Sequence, residues 1–322
     1  MPENARFGVE PFDVGYGAAF QADTDSTLAL ECPIVEGDGT LGVHTPAVRD
    51  RPDAIAFVDG SMRIEARLTR TAAADGTTTG VAGCASAGAV VVPSGGGPLH
   101  FAHVGVRRYA IFTGGHRVEL AEQPGGWRWE PDCVPDVDLD QATNRLQRHM
   151  RDAEVAIAEK LWHSGVVTVV DGPLSMVRSG WDTPIIGYVK THHRPMLAPA
   201  DWAKVPAIGV GQRTSAFQIR TDLYGAYLRV GDPGPWASPW GGIVRLEVPV
   251  GAGLERAIGV IDAAASWLPA FASAAHRDPR APVNLTPIGG LEHHLRHLHG
   301  DARLGLRAVR AAILELNRRE AP

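Results

Sequence analysis

The chain has 322 residues, 44% of them hydrophobic, and a net charge of −5 at pH 7, which allows one large α/β domain or two smaller ones. Its three cysteines, Cys32, Cys84 and Cys133, lie far apart with no CxxC spacing, which excludes a cysteine zinc site or disulfide framework and fits a reducing cytoplasm. No apolar run approaches the ~18 residues of a membrane span, and the acidic balance argues mildly against a free-standing, nonspecific nucleic-acid binder.

Residues 1–52 are rich in Gly, Pro and Asp and read as an irregular or β-rich extension ahead of a main domain over 53–322. From Ala54 the segments AIAFVDG, MRIEARLTR, GCASAGAVVVP and LHFAHVGVRRYAIF read as successive antiparallel strands. DLDQATNRLQRHMRDAEVAIAEKLWHSG is helical, with Asp138 or Asp140 as N-cap, Gly165 as its stop, and Leu146, Met150, Ala153, Ile157 and Leu161 as its apolar stripe. The apolar strand VVTVVD follows, then PIIGYVKTHH, a short helix near Pro199 to Lys204, and strand candidates in RTSAFQIR, YGAYLRVG and GIVRLEVPV. Three helical segments close the chain: GLERAIGVIDAAASWLPAFASAAH, PIGGLEHHLRHLHG and DARLGLRAVRAAILELNRR. The order predicts a mixed α/β sheet covered by helices, with helices at the C-terminus.

Two segments carry chemistry. In FVDGSM and VVDGPL, strand alternation puts Asp59 on the face of Ile55 and Phe57, and Asp171 on the face of Val167 and Val169. Each aspartate is expected to end an apolar strand, where ligands gather in open α/β sheets, with the glycine letting the chain turn away. A single Asp-Gly is more often a turn; two matched instances separated by a helix point to a divalent-cation site, which needs further hard ligands. Of Asp152, Glu154 and Glu159, only Glu154 borders the buried stripe, about 60° from its centre at ~100° per residue. Its ordinary reading is a boundary residue paired with Arg151 or Lys160. In LEHHLRHLHGD, Glu292 and His294 flank the apolar stripe and are fourth-ligand candidates, whereas His293 and His297 point away and read better as a solvated face than as a zinc pair. Lys190 and Arg213 are candidate phosphate-binding residues, with strand-end charges as the alternative.

A phosphate-binding P-loop and a GxSxG nucleophile elbow are absent. Trp127, Trp129, Trp236 and Trp240 could stack on bases, but tryptophans in such loops more often pack against the fold or a partner.

With FVDGSM, MRDAE ahead of VVDGPL, GYVKTHH, QRTSAF and RLEVP in that order across residues 53 to 300, the chain resembles the NurA nuclease family. The resemblance implies an RNase H-like fold, a homodimer, cleavage of DNA with Mn²⁺ or Mg²⁺, and work with a HerA-type hexameric ATPase in DNA-end processing or phage defence. Carried over by motif, Asp59, Glu154 and Asp171 are the metal-binding carboxylates. The family's C-terminal histidine follows a proline-containing stretch, whereas this chain reads APVNLTPIGGLEHHLRHL; Glu292 is taken as the fourth ligand, with His294 or His293 as alternatives. Two rival readings are a catalytically silent DNA-binding or adaptor subunit of a translocase, and a hydrolase of small phosphate esters.

Overall fold

Apolar, β-branched segments in the first half and amphipathic 3.6-period segments in the second sort the chain into one sheet and the helices that cover it. The computed structural model describes residues 6–11, 31–72, 76–174, 184–192, 195–235, 237–276 and 282–320. Its elements are β1 (Arg6–Pro11), β2 (Val43–His44), β3 (Ala54–Ala72), β4 (Gly76–Pro93), β5 (His100–Phe112), β6 (Glu130–Cys133), α1 (Leu139–His163), β7 (Val167–Asp171), β8 (Ile185–Val189), α2 (Pro199–Trp202), β9 (Arg213–Thr214), β10 (Phe217–Ile219), β11 (Leu223–Arg229), β12 (Ile243–Pro249), α3 (Leu254–Trp267), α4 (Thr286–Leu298) and α5 (Ala302–Glu320). The strands form one mixed sheet in the order β2-β9-β11-β12-β8-β7-β3-β4-β5-β6, with β1 added to β3 and β10 to β11.

Strands β3, β4 and β5 form an antiparallel meander, α1 crosses over, and β7 returns parallel to β3 with β8 parallel to β7. This is the helix-flanked mixed sheet, with C-terminal helices, expected of an RNase H-like core. Helix α1 starts at Asp138, whose carboxylate accepts from the Asp140 N–H, and ends before Gly165 at φ +71°, as its caps predict. It buries Leu146, Met150, Glu154, Ile157 and Leu161 against one sheet face. The other face carries Ile55, Phe57, Val169 and Tyr188, packed under α3 and α4 through Ile261, Leu291 and Leu295. Helix α5 covers the far end of the meander, where Val309, Ala312 and Ile313 meet Leu68, Phe112 and Trp129.

Two expectations are corrected. AIAFVDG and MRIEARLTR are one strand, because β4 pairs with β3 continuously from Ala54 to Ile64 and, past a bulge, from Ala66 to Ala72. Asp59 therefore lies inside β3, and Gly60 is paired with Ala87 rather than turning the chain. Strand β6, a segment without a strand pattern of its own in the sequence, pairs with β5. The described parts of residues 1–52 join the sheet too, β1 on β3 and β2 on β9. The three cysteines are free, and no described helix is long and apolar enough to cross a membrane.

Candidate functional site

The second neighbour of β3 changes along its length. Strand β7 pairs with Ile55 to Val58 and stops at Asp171, whereas β1 pairs only from Ala66 onward. Between them, Asp59 to Ile64 have a ladder partner on one side only, and this gap joins the two faces of the sheet. Asp59 lies on the α4 face and Glu154 reaches in from α1 on the other, where it accepts the Gly60 N–H.

The two Asp-Gly glycines make room for α1. A Cβ on Gly60 would sit 2.4 Å from Glu154 Oε1 and 2.6 Å from Met150 Cγ, and one on Gly172, at φ +126°, would sit 2.9 Å from Arg151 Nη1. Each Asp-Gly pair thus supplies a carboxylate and a bare backbone against which side chains of MRDAE are pressed, Met150 and Glu154 at Gly60 and Arg151 at Gly172. Arg151 Nη1 in turn lies 3.3 Å from Glu154 Oε2.

The carboxylates act on one another. Asp59 is 7% exposed and its Oδ2 has no hydrogen-bond partner. Burial first, then the charges of Asp171, Glu154 and Glu292, push its carboxyl well above the usual range, with Lys190 pulling the other way. Glu154 is raised to about 7, chiefly by burial, against the opposing charge of Arg151. A buried acceptor with no donor, among carboxylates that raise its pKa, is a costly arrangement that a bound cation would relieve.

The structure therefore brings Glu154, Asp171, Glu292 and Lys190 into electrostatic reach of Asp59. Lys190, just past β8, donates to Asp171 Oδ2 at 2.7 Å. Glu292 comes within range because α4 lies close on the sheet, Leu291 and Leu295 packing over Gly88, the β4 partner of Asp59; its own carboxylate lies 3.3 Å from Arg296. His294 instead stacks on Phe101 at 4.3 Å, and His293 and His297 are exposed. Among the described residues no three His, Cys, Asp or Glu side chains are close enough to grip one ion as they stand. Lys190 and Arg151 hold oxygens of Asp171 and Glu154 instead.

Arg213 is not brought to the site. It lies on β9, four strand spacings from β7, or about 19 Å at ~4.8 Å each. Only 2% exposed, it is clamped by Glu36 at 2.7 and 2.9 Å, by Asp262 at 2.5 Å and by the Thr214 carbonyl. Those partners use its donors, so the expected phosphate contact is replaced by a structural ion-pair cluster. The tryptophans pack: Trp129 is buried, Trp127 lies under Arg108, and Trp240 stands against Trp202 and His192; Trp236 lies outside the described residues.

The sequence reading passed over His299. It is 2% exposed, bonded to Ser86 Oγ at 2.7 Å, and its pKa is pushed down to about 4 by burial and by Arg63 and Arg108. Its carbonyl and that of Gly300 accept from Arg63, and Arg108 adds a bond to the His299 carbonyl, which fixes the end of α4 and hence Glu292. The only available signal was its place before Gly300 at a helix end.

No protein-family model and no curated protein matches the chain in sequence. Among solved structures it is similar to the crystal structure of the NurA nuclease from Sulfolobus solfataricus, at 10% identity and a TM-score of 0.41, over 79% of this chain and 84% of that one. A likeness of this depth carries no functional weight by itself; the side chains around Asp59 carry it.

Proposed function

We propose that this chain is a divalent-metal-dependent nuclease that hydrolyses phosphodiester bonds of DNA. The observation that carries the reading is the unpartnered, buried Asp59 Oδ2 beside Asp171, Glu154 and Glu292. The donor set suits the group: hard carboxylate oxygens are what Mn²⁺ and Mg²⁺ take, and the orphaned oxygen has nothing else to bind. Asp59, Asp171 and Glu154 would hold the ion, with Glu292 as the fourth carboxylate. When bound, the ion polarises the scissile phosphate and acidifies an attacking water.

The remaining work falls to the chain's own groups. Lys190, now on Asp171, is placed to exchange that carboxylate for a non-bridging phosphate oxygen, a charge-assisted contact of the same kind. Arg151, in the same way, lies against Glu154 and partly offsets the burial that disfavours its charge, until an ion replaces it. Burial of Asp59 and Glu154 keeps bulk water from screening these charges. Homodimer formation and docking to a HerA-like hexameric ATPase, in DNA-end processing or phage defence, rest on the family resemblance.

The test is a nuclease assay on end-labelled single- and double-stranded DNA with Mn²⁺, Mg²⁺ or EDTA, with and without a HerA-like ATPase. Cleavage that EDTA stops supports the reading; no cleavage under any condition removes it. One observation favours a second reading, a catalytically silent DNA-binding or adaptor subunit: no three candidate ligands stand ready to share an ion among the described residues. Calorimetric titration with Mn²⁺ separates the two, since a silent subunit gives no heat of binding that Asp59→Asn removes.

A further inference from the structure

Helix α5 turns Ala308, Val309, Ala312 and Ile313 inward and leaves Arg303, Arg307, Arg310, Leu314 and Arg318 exposed. At ~100° per residue these five positions fall in one row along its outer side. The helix carries five arginines against Glu315 and Glu320, in a chain whose net charge is −5. Arg303 faces Asp301, and Arg319 is paired with Glu315. Arg307, Arg310 and Arg318 make no ion pair or hydrogen bond among the described residues. Like charges aligned along one face repel one another, and such a row is complementary to a partner that is itself a line of negative charge.

The fold places this row relative to Asp59. Alternation along β3 puts Ser61 and Arg63 on the same face as Asp59, and Arg63 grips the turn between α4 and α5 through the Gly300 carbonyl at 2.7 Å. Gly305 packs over Glu65, and Asn317 is bonded through Phe7 to the segment opposite Arg70. At ~3.3 Å per residue of strand, the row runs from about 20 Å to about 36 Å from Asp59. That distance is about six to eleven base pairs at ~3.4 Å per nucleotide.

We infer that the outer row of α5 binds the phosphate backbone of nucleic acid on one side of the cleavage point. The inference rests on the nuclease reading for its second half only. Arginine forks suit phosphate oxygens without reading sequence. Leu304 and Leu314, both 54% exposed, are too few to seal a protein interface, which takes ~800 Å² on each partner.

The test uses the full chain carrying Asp59→Asn, to prevent cleavage, and a fluorescein-labelled 20-base-pair duplex, with Kd measured over a range of KCl. Adding Arg307→Gln, Arg310→Gln and Arg318→Gln should raise Kd at least tenfold and lower the slope of log Kd against log salt by about 2 to 3. Arg→Lys at the same positions should retain most of the slope, and thermal melts of all variants should coincide because the side chains are exposed. In the otherwise wild-type chain, the Gln variant should cut a four-nucleotide fragment, too short to reach the row, at the wild-type rate. Unchanged Kd and slope overturn the inference and leave the nuclease reading standing. A wild-type chain that cuts no DNA yet binds duplex through these arginines upholds the surface and removes the nuclease reading. A change in oligomeric state with unaltered DNA binding shows that the row meets protein, and overturns the inference.

Discussion

Asp59, Asp171 and Glu154 owe their chemistry to what surrounds them. Replacing Asp59 or Asp171 by Asn keeps the shape and removes the charge; cleavage should fall more than about 100-fold while the chain still folds cooperatively. The glycines beside them are just as constrained. Gly60→Ala would drive a methyl into Glu154 and Met150, at a cost of about 1–3 kcal/mol. Urea unfolding should show that loss together with weakened Mn²⁺ binding, and a variant that matches wild type in both would mean that α1 is not seated as described. Sequence spacing pointed to the aspartates because alternation fixes which face a strand residue occupies. It pointed to Glu154 because helical phase does the same. It could not show that Gly60 serves close packing rather than a turn, since an Asp-Gly pair permits both and only the partner strand decides.

At the scale of elements, long-range pairing overrode local signals. Strand β3 reads as two strands because Gly60 and Ser61 interrupt the apolar pattern, yet β4 pairs straight past them. Strand β6, EPDC, has no strand pattern of its own and is ordered by β5. Arg213 is the clearest case: opening a strand candidate near acidic motifs, it looked like a phosphate ligand. Its actual partners, Glu36 and Asp262, lie 177 and 49 residues away in sequence. Arg213→Ala would strand two carboxylates around a buried position and should cost about 3 kcal/mol or more. Urea midpoints should fall accordingly, with KM for DNA unchanged in the folded fraction. Normal stability with a raised KM would return Arg213 to the substrate.

Across the whole molecule, pH tests the coupling of the site to folding. The carboxyl of Glu154 is raised from 4.5 to about 7 in the fold, so between those values the folded chain holds its proton more tightly than the unfolded chain. Its stabilising contribution is complete below 4.5 and is lost as pH rises toward 7; Asp59 acts in the same direction. His299 acts oppositely. Lowered from 6.5 to about 4, it contributes above 6.5, and that contribution is lost as pH falls toward 4. Glu154 and His299 nearly offset each other over the same range, so the raised carboxyl of Asp59 should leave the wild-type chain losing stability as pH rises. Glu154→Gln removes one of the two falling contributions and should flatten the curve, and in EDTA its melting temperature should exceed that of wild type by more at pH 8 than at pH 5. Mn²⁺ should stabilise wild type more at pH 8 than at pH 5; equal shifts would place the ion elsewhere.

The succession of antiparallel strands, a helix, a buried apolar strand and C-terminal helices was legible because each element keeps its own period along the chain. The gap between β7 and β1 that joins the two faces at Asp59 was not, because it depends on β1 returning across more than fifty residues to pair with β3. The most direct measurement of the central claim is cleavage of end-labelled DNA by the wild-type chain and by Asp59→Asn, side by side, in Mn²⁺ and in EDTA. Wild type should cut in Mn²⁺ only, and Asp59→Asn in neither. Cleavage by Asp59→Asn at the wild-type rate, or by wild type in EDTA, would contradict a carboxylate-held ion at this site.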